Sequence, residues 1–272
     1  MTVPQTDDPT FADPAAPAPS PPSSADQNAG GRPGLRGVVR GLRQKNWDQH
    51  VGDMEAMADT AGFLALRERI VGLAALHPGE RVLDVGSGTG LLALAVAPTV
   101  EQVYAIDISA AMCRRLTAKV LDARLTNVEV HQASASRLPL PDGSVDVILS
   151  NYCYHHLDDR DKELALSEAR RVMRPGGRMV IGDMMFRVRV TDARDRAVMT
   201  SIVKSMLRRG PAGLLRVLKN AARYLTGRWE HPADVDWWRA ALPRAGFIDV
   251  EVHPLDHEGG IAVARRAGPT TS

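Results

Sequence analysis

The chain has 272 residues, 44% of them hydrophobic, and a formal net charge of only +2. That length and apolar content allow one large core with appendages, and the near-neutral balance gives no reason to expect a nucleic-acid partner. Cys113 and Cys153 form neither a CxxC nor a Cys/His ligand spacing, which argues against a disulfide scaffold and against a bound metal.

Residues 1 to 34 hold eight of the eighteen prolines among many Ala, Ser and Asp, a composition too poor in apolar surface to fold, and are expected to form a disordered leader. Residues 35 to 54 are expected to form a separate basic helical segment. Within it Leu35, Val38, Val39 and Leu42 have helical spacing, with Arg36, Arg40 and Arg43 on another face. A compact domain is expected over 55–272. Its first helix runs over 59–76, with Phe63, Leu66, Ile70 and Leu73 as the apolar stripe and His77-Pro78-Gly79 as the stop.

An alternation of strands and helices follows. Strands are predicted over 81–85, 102–106, 128–132, 144–149 and 178–181, and helices over 91–97, 110–121 and 161–173. Pro175-Gly176-Gly177 is read as the turn that ends the third of these helices. Strands and helices at this spacing imply a parallel α/β sheet covered on both faces. At the end, Ile248, Val250 and Val252 alternate with polar residues, and a Gly259-Gly260 turn leads into a strand over 261–264, an antiparallel hairpin. The chain lacks both a signal-peptide pattern and an apolar run of about 18 residues, so a cytoplasmic protein is expected.

Val82-Leu83-Asp84-Val85-Gly86-Ser87-Gly88-Thr89-Gly90 sets three glycines between a strand and a helix, where the backbone turns sharply and a ligand comes close. Leu91 stands where a dinucleotide loop needs its last glycine, which weakens the NAD reading. Asp107 closes the second strand seventeen residues after Gly90, at the place of a ribose diol. Asp84 suits a ligand with an ammonium group better than a pyrophosphate, and S-adenosyl-L-methionine (SAM) is such a ligand. The plainer alternative is a tight turn with Asp107 capping the next helix.

With these residues the chain resembles the class I SAM-dependent methyltransferases of the quinone-biosynthesis and small-molecule type. The likeness extends through Leu138-Pro139-Leu140-Pro141-Asp142-Gly143-Ser144-Val145-Asp146 and Arg171-Val172-Met173-Arg174-Pro175-Gly176-Gly177. It implies a Rossmann-like fold: a mostly parallel seven-stranded sheet, an antiparallel C-terminal hairpin and a helical lid insertion over 184–230. It further implies that Asp84, Gly86, Ser87, Gly88 and Gly90 meet the methionine moiety and that Asp107, with Ile108 beside it, meets the ribose. Ser134 and Ala135 would meet adenine, although the family usually has Asp where Ser134 stands. Asn151 completes the implied cofactor set.

Asn151-Tyr152-Cys153-Tyr154-His155-His156 follows the fourth strand directly, at the expected carboxyl edge of the sheet. It lacks the Pro-Pro-aromatic sequence common in enzymes that methylate base amines, which disfavours nucleic acid again. His155 or His156 is a candidate base for a phenol or an acidic carbon; the alternative is packing or helix capping. Cys153 is expected to be a small buried hydrophobe. Trp229, Trp237 and Trp238 are weighed as acceptor-pocket wall or core.

Residues 187 to 228 carry eleven Lys or Arg against Asp192 and Asp195, a charge of +9 that leaves −7 on the remainder. As a lid this stretch would meet an anionic small-molecule acceptor, an anionic membrane surface, or only water. The functions in view are methyl transfer to a small hydrophobic or anionic metabolite, a non-catalytic SAM- or nucleotide-binding regulator, and an NAD-dependent oxidoreductase.

Overall fold

A computed structural model describes residues 47–187, 191–208, 210–211, 214–215, 217–219 and 231–268. The leader, nearly all of the basic stretch before Trp47, and Trp229 lie outside the described residues.

The chain enters through a 3-10 turn, Trp47–His50, and helices α1 (Val51–Ala58) and α2 (Ala61–Ala74). Strand β1 (Arg81–Val85) then opens the alternation: α3 (Ala93–Val96), β2 (Gln102–Asp107), α4 (Ala110–Asp122), β3 (Val128–Gln132) and β4 (Val145–Asn151). After a second 3-10 turn, Tyr154–His156, come α5 (Asp159–Val172), β5 (Met173–Met184), α6 (Ala193–Leu207), α7 (Val235–Arg244), β6 (Phe247–Pro254) and β7 (Gly259–Arg266). Among the described residues no helix is long and apolar enough to cross a membrane.

The seven strands form one sheet in the order β3-β2-β1-β4-β5-β7-β6. All neighbours up to β5 are parallel, and β7 runs antiparallel to both β5 and β6. Strand parity explains the layers. Leu83, Val85, Ile148, Met179 and Ile181 face α5 and α7, where Leu166, Val172, Trp238 and Leu242 are buried. Val82, Val147, Leu149 and Val180 face the other side, against Leu66 and Ile70 of α2 and Leu116 and Val120 of α4. A sheet covered on both faces needs apolar residues at consecutive positions, which is why Val82-Leu83 of β1 and Val147-Ile148-Leu149 of β4 are apolar without alternation. Ile148 is wholly buried, and truncating it to Ala would cost about 2–5 kcal/mol.

Arg171 explains why two separated motifs occur together. Its guanidinium donates to the carbonyls of Leu138 (3.0 Å) and Leu140 (2.8 Å) and to Asp142 (2.8 Å), while Glu168 holds it from the same helix. The loop leading to β4 is thereby pinned to α5.

Three local expectations are corrected. Helix α5 ends at Val172, and Pro175-Gly176-Gly177 lies within β5, at an irregularity between the Val145 and Val147 pairings with β4. Gly177 tolerates no side chain there, because a Cβ would stand 2.7 Å from the Asp146 carbonyl oxygen. In β6 a register shift between Ile248 and Glu251, with Asp249 at φ 51°, breaks the alternation, so Phe247 and Val252 are buried while Ile248 is exposed. Gly259 and Gly260 are the first residues of β7, and the turn precedes them.

Candidate active site

The strand order reverses direction between β1 and β4, and ligands of open α/β sheets bind at that crevice, beyond the carboxyl ends of the strands. Chain reversal after β1 needs left-handed backbone at Gly86 (φ 71°), Gly88 (φ 52°) and Gly90 (φ 98°). A side chain at Gly86 would also overlap Cys153, and one at Gly90 would overlap Leu116 of α4. Gly86 and Gly88 line the cavity, whereas Gly90 brings the loop against α4.

Asp84 is buried at the end of β1 and accepts from the Ala93 N–H at 3.0 Å. Burial pushes its carboxyl up to about 7; the Ala93 bond opposes the rise and the Asp107 charge adds to it. Asp107 ends β2, accepting from the Gly88 N–H (2.9 Å) and the Ser109 N–H (2.8 Å). Its carboxyl is also raised, chiefly by burial. Helix capping falls to Ser109, whose hydroxyl accepts from the Met112 N–H. Ile108 next to it is exposed.

The cavity is lined by Asp84, Gly86, Ser87, Gly88 and Asn151 together with Met54, Ala58 and Phe63. Ser87 Oγ and both amide atoms of Asn151 are buried without a hydrogen-bond partner among the described residues. Orphaned polar atoms beside a raised carboxylate fit a polar cationic ligand such as the amino-acid end of SAM, which would supply their missing bonds. Ser134 and Ala135 sit farther along, past β3. The Ser134 hydroxyl shares a 2.9 Å bond with Ser136, a local partner that an adenine amine would have to compete with.

His155 and His156 lie on the 3-10 turn after β4. His155 is buried; its Nδ1 stands 2.5 Å from Asp183 Oδ1, and its backbone N–H donates to Asp183 Oδ2 at 2.8 Å. The ring of His156 lies 3.8 Å from that of His155 and 4.4 Å from Trp47. Tyr152 precedes the turn at φ 54°, a conformation that a bulky residue holds only when its surroundings impose it. Phe63 stacks on its ring at 4.9 Å. Lys162, wholly buried, fastens the turn by donating to the Leu157 carbonyl at 2.7 Å.

Cys153 is packed against Gly86, and burial drives its thiol well above the usual range, which removes it as a nucleophile. Trp238 is core, edge-on to Tyr154, and Trp237 packs on Trp238. Sequence reasoning missed Asp183 and gave Trp47–Ala58 no part in the site, although a helical segment was expected over 35–54. A carboxylate within the apolar run Met179 to Met185 was the available signal for Asp183.

Residues 83–181 match the Methyltransferase domain family. The ubiquinone/menaquinone biosynthesis C-methyltransferase of Vibrio vulnificus is 30% identical over 194 residues, covering 70% of this chain and 72% of that protein. The 27-O-demethylrifamycin SV methyltransferase of Amycolatopsis mediterranei is 33% identical over 146 residues, 53% of this chain and 51% of that one. This chain spans about half the length of several curated relatives that it matches. A SAM-dependent methyltransferase from Aquifex aeolicus shares the fold, with a TM-score of 0.56 at 23% identity over 80% of this chain and 97% of that one. On the strength of that likeness in sequence over two thirds of both chains, with the fold in agreement, this chain belongs to the class I SAM-dependent methyltransferases.

Proposed function

We propose that the protein transfers a methyl group from SAM to a small, hydrophobic or anionic metabolite, a quinol, phenol or lipid-like molecule, and that His155 removes the acceptor's proton. The observation that carries this reading is the buried contact of His155 Nδ1 with Asp183 Oδ1, where the ends of β4 and β5 lie side by side. When bound, the cofactor supplies an electrophilic methyl group on a sulfonium that leaves as a neutral thioether. Asp84, Ser87 and Asn151 hold its amino-acid end and Asp107 its ribose, so that donor and acceptor are aligned, which supplies much of the acceleration.

Asp183 accepts a hydrogen bond from the His155 Nδ1–H, which makes Nε2 the basic atom of His155. As the acceptor's oxygen or carbon gains the methyl group, its proton passes to Nε2, and Asp183 stabilises the resulting imidazolium. His156, turned toward Trp47, serves as wall rather than base. The reading is tested with methyl-labelled SAM and a panel of quinols and phenols. Label in product, with a fall of about 10²–10⁴-fold for His155→Ala, supports it. Equal transfer by the variant removes His155 as base, and binding without any transfer favours a regulator.

A narrower acceptor class, lipid-soluble and presented at an anionic membrane, is supported by Leu207, Leu214, Leu215 and Leu218. All four are exposed, in the company of Lys204, Arg208 and Lys219. Apolar and cationic side chains together suit an anionic lipid surface. Sedimentation with anionic but not with zwitterionic vesicles tests it; equal sedimentation with neither rejects it.

A further inference from the structure

Residues 47 to 63 precede the matched family region and carry no motif, yet they reach the cavity, the start and body of α4 and the turn after β4. Met54 and Ala58, one turn apart on α1, line the same cavity as Asp84 and Asn151. Asp48 accepts from the Ser109 hydroxyl (2.5 Å) and the Ala111 N–H (3.1 Å), next to the ribose candidate Asp107. Glu55 pairs with Arg115 (2.7 Å) and Lys119 of α4, and Lys119 also donates to the carbonyl of Thr89 in the glycine loop at 3.2 Å. Trp47 covers His156, and Phe63 covers Tyr152.

Two further facts bear on how this segment behaves. Neither the Trp47–His50 turn nor α1 contains a buried residue, so the core does little to hold them. The cavity beneath measures about 30 Å³, the room of about one water, whereas sites for ligands of nucleoside size run to about 300 Å³ or more. A covering segment in this position, attached by charge and not by buried apolar surface, has to move for a cofactor to pass.

We infer that Trp47–Ala58 is a strap over the cofactor site, latched by Asp48 and Glu55, whose opening sets the rate at which cofactor and its product exchange. This rests on the cofactor site proposed above. Burial opposes the charge on Glu55, but Lys119, Arg115 and the Thr89 hydroxyl hold its carboxyl down at about 2, so the latch stays charged throughout the neutral range. Salt, which screens partly exposed pairs, is therefore the lever that loosens it.

The test is stopped-flow exchange of S-adenosylhomocysteine, followed by tryptophan fluorescence, for the full chain and for Glu55→Gln and Asp48→Asn, at about 50 and about 500 mM salt. Association and dissociation should both accelerate, roughly threefold to tenfold in Glu55→Gln, with affinity changing less than either rate. High salt should do the same to the unsubstituted protein and little more to the variant. Arg115→Gln reads the same latch from α4 should Glu55→Gln fold poorly. Rates indifferent to substitution and salt, with binding intact, overturn the strap and leave the cofactor site standing. Faster dissociation with unchanged association also overturns it, since Glu55 would then be an ordinary contact. Absence of binding by the unsubstituted protein overturns the site and the strap together.

Discussion

Asp183 receives the side chain and the backbone of one residue at once: His155 meets its carboxylate through Nδ1 at 2.5 Å and through its N–H at 2.8 Å. The Met184 N–H takes a further place at 2.8 Å, so the carboxylate fixes both the turn after β4 and the tautomer of the imidazole. Asp183→Asn would present an amide donor or a weaker acceptor to these N–H groups. Turnover should fall by about 10²-fold or more while S-adenosylhomocysteine affinity stays within about threefold, as judged by kinetics beside calorimetry. A loss of affinity equal to the loss of turnover would mark Asp183 as structural only.

Asp107, the acid proposed to meet the ribose, also ties the loop. Asp107→Ala removes the acceptors for the Gly88 and Ser109 N–H groups together with the proposed ribose partner. A stability loss of about 1–3 kcal/mol is expected beside an affinity loss of at least about tenfold. Thermal melts with and without S-adenosylhomocysteine separate the two, and unchanged affinity would sink the ribose assignment.

For Asp84 the sign of the pH effect follows from a folded value near 7 against an ordinary value of 3.8. Between those values the folded chain holds a proton that the unfolded chain has lost, so this group's contribution to stability declines as pH rises from about 4 to about 7, by up to about 4 kcal/mol. Binding an ammonium needs the carboxylate, so cofactor affinity moves the opposite way. It should strengthen by up to about tenfold per unit from about pH 5 to 7 and level off above. Titrations across that range should show the slope, and Asp84→Asn should bind weakly at every pH without it; a slope surviving in the variant assigns it elsewhere.

Gly86→Ala meets two obstacles, a φ of 71° and overlap with Cys153. A loss of about 2–4 kcal/mol in chemical denaturation is expected, with cofactor binding abolished. Gly88→Ala, whose added methyl meets nothing within 4 Å, should cost only about 1–2 kcal/mol. Equal stability of the two variants would contradict the packing account.

Where local pattern and tertiary packing agree, the elements were readable in advance. β1 and β3 have the expected limits, and Asp84, Gly86 and Asn151 line one cavity beside the reversal of strand order, with Asp107 bonded to Gly88 next to it. Gly177 and Asp249 were not readable as bulges, since a register shift is decided by the partner strand and not by the residue's own neighbours. Trp47–Ala58 was not readable as part of the site: Trp47, Val51, Met54 and Ala58 have helical spacing, but α1 buries nothing, and its attachments are to Ser109, Arg115 and Lys119, some sixty residues away. The Ser134–Ser136 bond likewise depends on side-chain geometry that composition does not reveal.

The most direct test is calorimetric titration of the purified chain with S-adenosylhomocysteine and, separately, with NAD. The account predicts saturable binding of the homocysteine form, weakened in Asp84→Asn and Asp107→Ala, and no binding of NAD. Binding of NAD with no heat from S-adenosylhomocysteine would contradict the reading of the glycine loop on which the proposed chemistry rests.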